Sequence, residues 1–366
     1  MNDASDNPLG LNGFEFVELT SPEPARMIDT LERLGFTAVA THPTKDVVRY
    51  KQGRINLLVN REPTGQAAEF RKAHGPSACG MAFRVADAKR AFAMALERGA
   101  RAADAEKGAL GPASHALEGI GGSLLYLVDD LAAKGGSIYA DWKPIPGAEE
   151  AEKRNSVGLD LLDHLTHNVR RGQMRTWSGF YEKIFGFAEQ KFFDIKGQAT
   201  GLFSQAMIAP DRAIRIPLNE SQDESSQIEE FIRQYNGEGI QHLALTTPDI
   251  YATVEKLRAN GVVFQDTPET YYELVDKRVG KHDEDLERLK KNRILIDGSE
   301  KEGFLLQIFT DNLFGPIFFE VIQRKGNEGF GNGNFQALFE SIELDQIRRG
   351  VIQVAAGSKP AASATP

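Results

Sequence analysis

Seven histidines, at positions 42, 74, 115, 164, 167, 242 and 282, limit any histidine-based chemistry to a short set of candidates. Two of them, His164 in LDHLTHNV and His242 in GIQHLAL, lie in apolar runs that read as β-strands. A carboxylate, Glu320, stands inside a third such run, GPIFFEVIQR, where burying its charge is costly unless it is paired or coordinates a metal. Two neutral imidazoles and one carboxylate on one face leave up to three coordination positions open, the arrangement that suits iron(II) oxygen chemistry. A 2-oxo acid could chelate through two of them and dioxygen could take the third. The ligands are far apart in sequence, so spacing alone does not separate them from hydrogen-bonded core residues. His167 tests the geometry, because residues three apart on a regular strand face opposite sides and cannot share a metal. The choice falls on His164, which an internal repeat places in register with His242.

That repeat is visible as the same order of elements in two halves, beginning near Gly13 and Gly158. GFEFVELT followed by ARMIDTLERLGF reads as strand then helix, as does LDHLTHNV followed by MRTWSGFYEKIFGF, each helix stopped by a glycine, Gly35 or Gly186. A second pair follows, GPSACGMAFRVADAKRAFAMALERGAR against GEGIQHLALTTPDIYATVEKLRANGVVF, with an Asp in each strand-to-helix turn. Short alternating strands such as VVRYKQGRINLLVN, RILIDGS and FLLQIFT fill the intervals. The fold class expected is α+β with duplicated architecture. Residues 11–130 form a first domain, 131–157 a linker punctuated by Pro144 and Pro146, and 158–354 a second domain, with a small-residue tail over 355–366. Aligning the halves sets Phe14 opposite His164, Gly80 opposite His242 and Leu127 near Glu320. Only the second half is then equipped for metal chemistry.

Bulk properties narrow the function classes. A chain of 366 residues fits two domains, and 41% hydrophobic with 26% charged residues is ordinary for a globular protein. A formal net charge of −9 with no basic cluster argues against a nucleic-acid partner. The single cysteine, Cys79, excludes an intramolecular disulfide framework and fits a cytoplasmic location. No secretory signal or membrane span is expected. GFGNGNF, Gly329 to Phe335, lacks the strand-to-helix context of a dinucleotide loop, so no nucleotide site is expected.

Over nearly its whole length the sequence resembles the 4-hydroxyphenylpyruvate dioxygenase family of the vicinal oxygen chelate superfamily. The resemblance rests on LDHLTHNV, FYEKIFGF, FFDIKG, IRIPLNE, QIEEF, NGEGIQHLAL, TYYE, LLQIF, FFEVIQRKG and GFGNGNFQALFESIE, in order. It implies βαβββ modules forming two half-open barrels, with Fe(2+) held by His164, His242 and Glu320. It also implies oxidative decarboxylation of 4-hydroxyphenylpyruvate by dioxygen, ring hydroxylation and side-chain migration to homogentisate, in tyrosine and phenylalanine catabolism. The implied substrate pocket has Ser204, Asn219, Gln227, Gln241 and Gln307 as polar groups. Its walls are Pro217, Phe309, Phe318, Phe335 and Phe339. A C-terminal helix, FQALFESIELDQIRRGV, would cover the site mouth, with Gly331, Gly333 and Asn334 at its hinge. The resemblance implies a homo-oligomer, a tetramer by analogy. Two alternatives stay open: a 4-hydroxymandelate synthase with the same triad, and a metal-free binding protein of the same superfamily.

Overall fold

Apolar alternation resolves into two mixed eight-stranded sheets in the computed structural model, which describes residues 7–351 apart from 113, 133–134, 198 and 268. The first half supplies β1 (Leu11–Thr20), β2 (Thr37–Thr41), β3 (Val47–Gln52), β4 (Ile55–Asn60), β5 (Ser77–Val85), β6 (His115–Glu118), β7 (Leu124–Asp129) and β8 (Lys143–Pro144). They are ordered β6-β7-β5-β1-β4-β3-β2-β8. The second half supplies β9 (Leu161–Val169), β10 (Ala188–Lys196), β11 (Gly201–Ile208), β12 (Arg215–Ser221), β13 (Gly239–Thr246), β14 (Leu295–Ser299), β15 (Gly303–Phe309) and β16 (Phe318–Lys325). Their order is β10-β11-β12-β9-β13-β16-β15-β14. Read in opposite directions, β7-β5-β1-β4-β3-β2 matches β16-β13-β9-β12-β11-β10, so the duplication expected from sequence is a duplication of topology. The second sheet is a half-barrel.

Pairing register corrects the residue-level alignment of the halves. In the second sheet Ala244 stands opposite both His164 and Glu320. In the first, Ala82 stands opposite Phe16 and Tyr126. With Gly80 kept opposite His242, the counterparts of His164 and Glu320 are therefore Phe16 and Tyr126, not Phe14 and Leu127. Irregularities in β1 on either side of Phe14 shift its phase, and a one-residue slip at Leu127 changes face. The Phe16 and Tyr126 rings, 5.3 Å apart, fill the first half's equivalent of the site.

Local chemistry explains the element ends. Asp87 and Asp249, the acidic turn residues of the paired modules, accept from Arg90 N at 2.9 Å and Ala252 N at 3.1 Å and so cap the helices Ala88–Glu97 and Ile250–Ala259. Gly186 ends the helical stretch from Met174 at φ +76°, a conformation that costs other residues. The stretch 131–157 is more than a connection. β8 pairs with β2, and the helix Ala148–Asn155 packs on β2 and reaches the end of β3, where Glu152 accepts from Lys51 Nζ at 2.9 Å and Gly53 N at 3.0 Å.

The C-terminal helix spans Asn332–Arg348, starting three residues before the expected Phe335, so Gly333 lies in its first turn and only Gly331 precedes it. The expected tail over 355–366 lies outside the described residues. One continuous core holds apolar residues of both sheets, with Phe83 of β5 5.5 Å from Phe185 of the second half. Among the described residues no helix is long and apolar enough to cross a membrane.

Candidate metal centre

The adjacent strands β9, β13 and β16 bring His164, His242 and Glu320 together, with one donor atom from each inside 4.8 Å of the others. His164 Nε2 lies 3.1 Å and His242 Nε2 3.3 Å from the same oxygen, Glu320 Oε2. All three side chains are buried. Beyond this approach to Glu320, the buried His242 Nε2 has no polar partner among the described residues. Two buried imidazole nitrogens converging on one carboxylate oxygen form a donor set suited to a divalent ion. His167 is the bystander expected, turned to the opposite side with Nε2 2.8 Å from Tyr181 Oη, its pKa lowered by burial to about 3.

Each ligand is held from behind. His164 Nδ1 is 2.8 Å from Asp163 Oδ2, which directs Nε2 toward the centre. Arg324 grips both Asp163 oxygens at 2.8 Å. His242 Nδ1 lies 3.1 Å from Gln241 Oε1, and Phe318 stacks on its ring at 4.7 Å. Gln307 Nε2 donates to Glu320 Oε1 at 2.7 Å, leaving Oε2 to face the histidines. Asp163 and Arg324 were missed in the sequence. The only signal was an acidic residue next to a ligand candidate.

Electrostatics fit a site built for positive charge. Burial disfavours a charged His164, yet the Glu320 and Asp163 carboxylates raise its pKa to about 9. Burial likewise opposes ionisation of Glu320, but the two imidazoles lower it to about 2. His242 is lowered, chiefly by burial, and stays a neutral ligand. Asp163 is held far below the usual carboxylate range, against burial, by Arg324 and His164.

The triad opens on a small, partly open cavity lined mainly by apolar side chains. Of the residues expected there, Ser204, Pro217, Asn219, Gln307, Phe309 and Phe335 line it. Gln241 and Phe318 instead back His242, Gln227 opens the helix Gln227–Tyr235, and Phe339 sits in the main core. Thr166, Phe193, Ala206 and Phe330 line it unanticipated. Strand alternation offered Thr166 and Ala206, each two residues from a named position. Asn334 bonds to Gln307 rather than facing the cavity, with Nδ2 2.7 Å from Gln307 Oε1.

Fold and site define a metal centre of the glyoxalase, bleomycin resistance protein and dioxygenase superfamily, whose model matches residues 161–275. Residues 5–143 match the N-terminal model of hydroxyphenylpyruvate dioxygenase. The chain is 59% identical to a 4-hydroxyphenylpyruvate dioxygenase of Pseudomonas aeruginosa over 94% of its length and 97% of that protein's. It is 56% identical to the hemolysin VllY of Vibrio vulnificus, covering 94% and 98% of the two chains. A mutant 4-hydroxymandelate synthase from Streptomyces coelicolor superposes with a TM-score of 0.78 at 26% identity, over 92% of this chain and 99% of that one. The chain belongs to the 4-hydroxyphenylpyruvate dioxygenase family.

Proposed function

We propose that this chain holds iron(II) through His164, His242 and Glu320 and converts 4-hydroxyphenylpyruvate and dioxygen into homogentisate and carbon dioxide. The observation that carries the reading is the convergence of the buried Nε2 atoms of His164 and His242 on one oxygen of Glu320, at 3.1 and 3.3 Å. Iron(II), when bound, supplies redox chemistry toward a chelating 2-oxo acid and dioxygen. Both oxygen atoms are consumed and the substrate supplies all the electrons, so no second reductant is needed.

The protein's own residues do the positioning. Phe193, Phe309, Phe330, Phe335 and Pro217 wall an apolar slot that holds the aromatic ring and excludes water from reactive species. Asn219 Oδ1, buried without a partner, accepts a hydrogen bond from a substrate hydroxyl, and Ser204 adds a second polar contact. Gln241 and Phe318 also fix His242, and Gln227 and Phe339 complete the substrate pocket in this reading. Gly331, Gly333 and Asn334 belong to the entry to the covering helix.

In this reading residues 11–130 form a metal-free structural domain, 131–157 join it to the catalytic domain 158–354, and 355–366 are a tail. The working form is a cytoplasmic homo-oligomer, a reading supported by the lone buried Cys79 for the reducing compartment and checked by sedimentation for the assembly. The deciding experiment loads the protein anaerobically with iron(II), adds 4-hydroxyphenylpyruvate and air, and identifies the product by chromatography. Homogentisate is expected. Hydroxymandelate would overturn the product assignment, and the absence of iron-dependent oxygen uptake would overturn the activity.

A further inference from the structure

Two hydrogen-bonded paths leave the metal ligands and end on the same stretch of chain. On one side Glu320 Oε1 accepts from Gln307 Nε2 at 2.7 Å, and Gln307 Oε1 accepts from Asn334 Nδ2 at 2.7 Å. Asn334 is fully buried in the first turn of the C-terminal helix. Its Oδ1 is fixed in turn by Tyr271 Oη at 2.7 Å, and Arg278 Nη2 lies 2.7 Å from that hydroxyl. On the other side His164 is oriented by Asp163, Asp163 by Arg324, and Arg324 Nη1 donates to the carbonyls of Asn327 at 3.0 Å and Gly329 at 2.7 Å. Residues 327–334, the lead into the covering helix, are therefore tied at both ends to partners of the triad. Gly331 lies between the ties at φ +67°, where an added methyl would press into Gln307 Oε1.

We propose that Asn334 is a positioning residue that sets the Glu320 carboxylate through Gln307, and that metal binding and seating of the C-terminal helix are coupled through it. Asn334 fixes Gln307 at its carbonyl end while the amide nitrogen of the same group holds Glu320, so displacing Asn334 removes one of the two constraints on that side chain. Unseating the helix frees Gln307 to rotate and the carboxylate to follow. A metal that requires the carboxylate in this orientation favours the seated helix, and by reciprocity the seated helix binds metal more tightly. The Asp163 and Arg324 path makes the same demand on His164. The inference rests on the triad being the metal site.

Hydrogen exchange of the full-length protein tests it, followed by mass spectrometry of peptides covering 332–348, without metal and with redox-silent zinc(II) or cobalt(II), and without substrate. In the unsubstituted protein metal should slow exchange of the helix. Asn334→Ala should abolish that protection, lower metal affinity roughly tenfold in a competition with a chromophoric chelator, and alter the cobalt(II) ligand-field spectrum. Gln336→Ala is the control, since its amide reaches Lys196 O and Glu340 on the outer side of the same helix. It should leave affinity and spectrum unchanged. Helix exchange indifferent to bound metal in the unsubstituted protein would overturn the coupling, even if Asn334→Ala failed to fold. Failure of the unsubstituted protein to bind metal would overturn the triad reading and the inference together. Metal binding and turnover with unresponsive exchange would overturn the inference alone.

Discussion

At the scale of single residues the centre behaves as a proton site that a metal must displace. His164 is raised to about 9, against burial, by the Glu320 and Asp163 carboxylates, whereas His242 is lowered and Glu320 stays ionised down to about 2. Near neutral pH one proton, on His164, therefore competes with the ion. Metal affinity should rise about tenfold per pH unit up to about pH 9 and then level off. Calorimetric titration near pH 7, in buffers of different ionisation enthalpy, should report release of one proton per ion; a heat independent of buffer would refute this. The same protonated ring stabilises the metal-free fold. That contribution is complete below the unperturbed value of 6.5 and is lost as pH rises through the folded value of about 9. Asp163 acts on the same ring, and Asp163→Asn should weaken metal binding by about 10- to 100-fold, measured by chelator competition, because an amide stabilises the Nδ1 proton less well than a carboxylate.

At the scale of elements, the strands carrying the triad were legible because the three candidate ligands stand in apolar runs of strand character. β9 is buried along nearly its whole length although Asp163, His164, Thr166, His167 and Asn168 are polar, so those side chains need partners or a role. Cross-strand register was not legible: irregularities in β1, β9 and β13 shift phase in ways that local sequence does not announce. That is why Phe14 was matched to His164 where Phe16 belongs. Gln241 and Phe318, expected in the substrate pocket, also contact His242, because a sequence can show that a polar or aromatic residue flanks a ligand without showing what else it touches. Gly331, expected as a hinge, has a positive φ of +67° and leaves no room for a side chain beside Gln307. Gly331→Ala should cost about 1–2 kcal/mol of local stability through strain in that conformation. The peptide 332–348 should then exchange roughly tenfold faster; unchanged exchange would mean that the close approach does not constrain the helix.

At the scale of the whole molecule, the duplication divides labour between a filled half and an equipped half, and the two share one core. The first sheet closes its counterpart of the site with Phe16 and Tyr126, and Tyr126 Oη donates to the buried Glu18 at 2.8 Å. The continuous apolar cluster runs from Leu11 and Phe83 of the first sheet to Phe185, Phe187 and Ile240 of the second half, with Phe83 5.5 Å from Phe185 and 6.2 Å from Phe187. A core of this kind cannot be exposed on one side only without large loss of apolar burial, so the two sheets should unfold together. The two tryptophans suit the test: Trp142 packs in the first half and Trp177 in the second. Thermal unfolding followed by fluorescence in Trp142→Phe and in Trp177→Phe should give the same enthalpy and cooperativity, with each remaining tryptophan reporting both sheets. Added zinc(II), which binds only the folded second half, should raise both midpoints equally through linkage. If the Trp177 signal alone moved with metal, the halves would be thermodynamically separate, and the shared core would be a contact rather than a common folding unit.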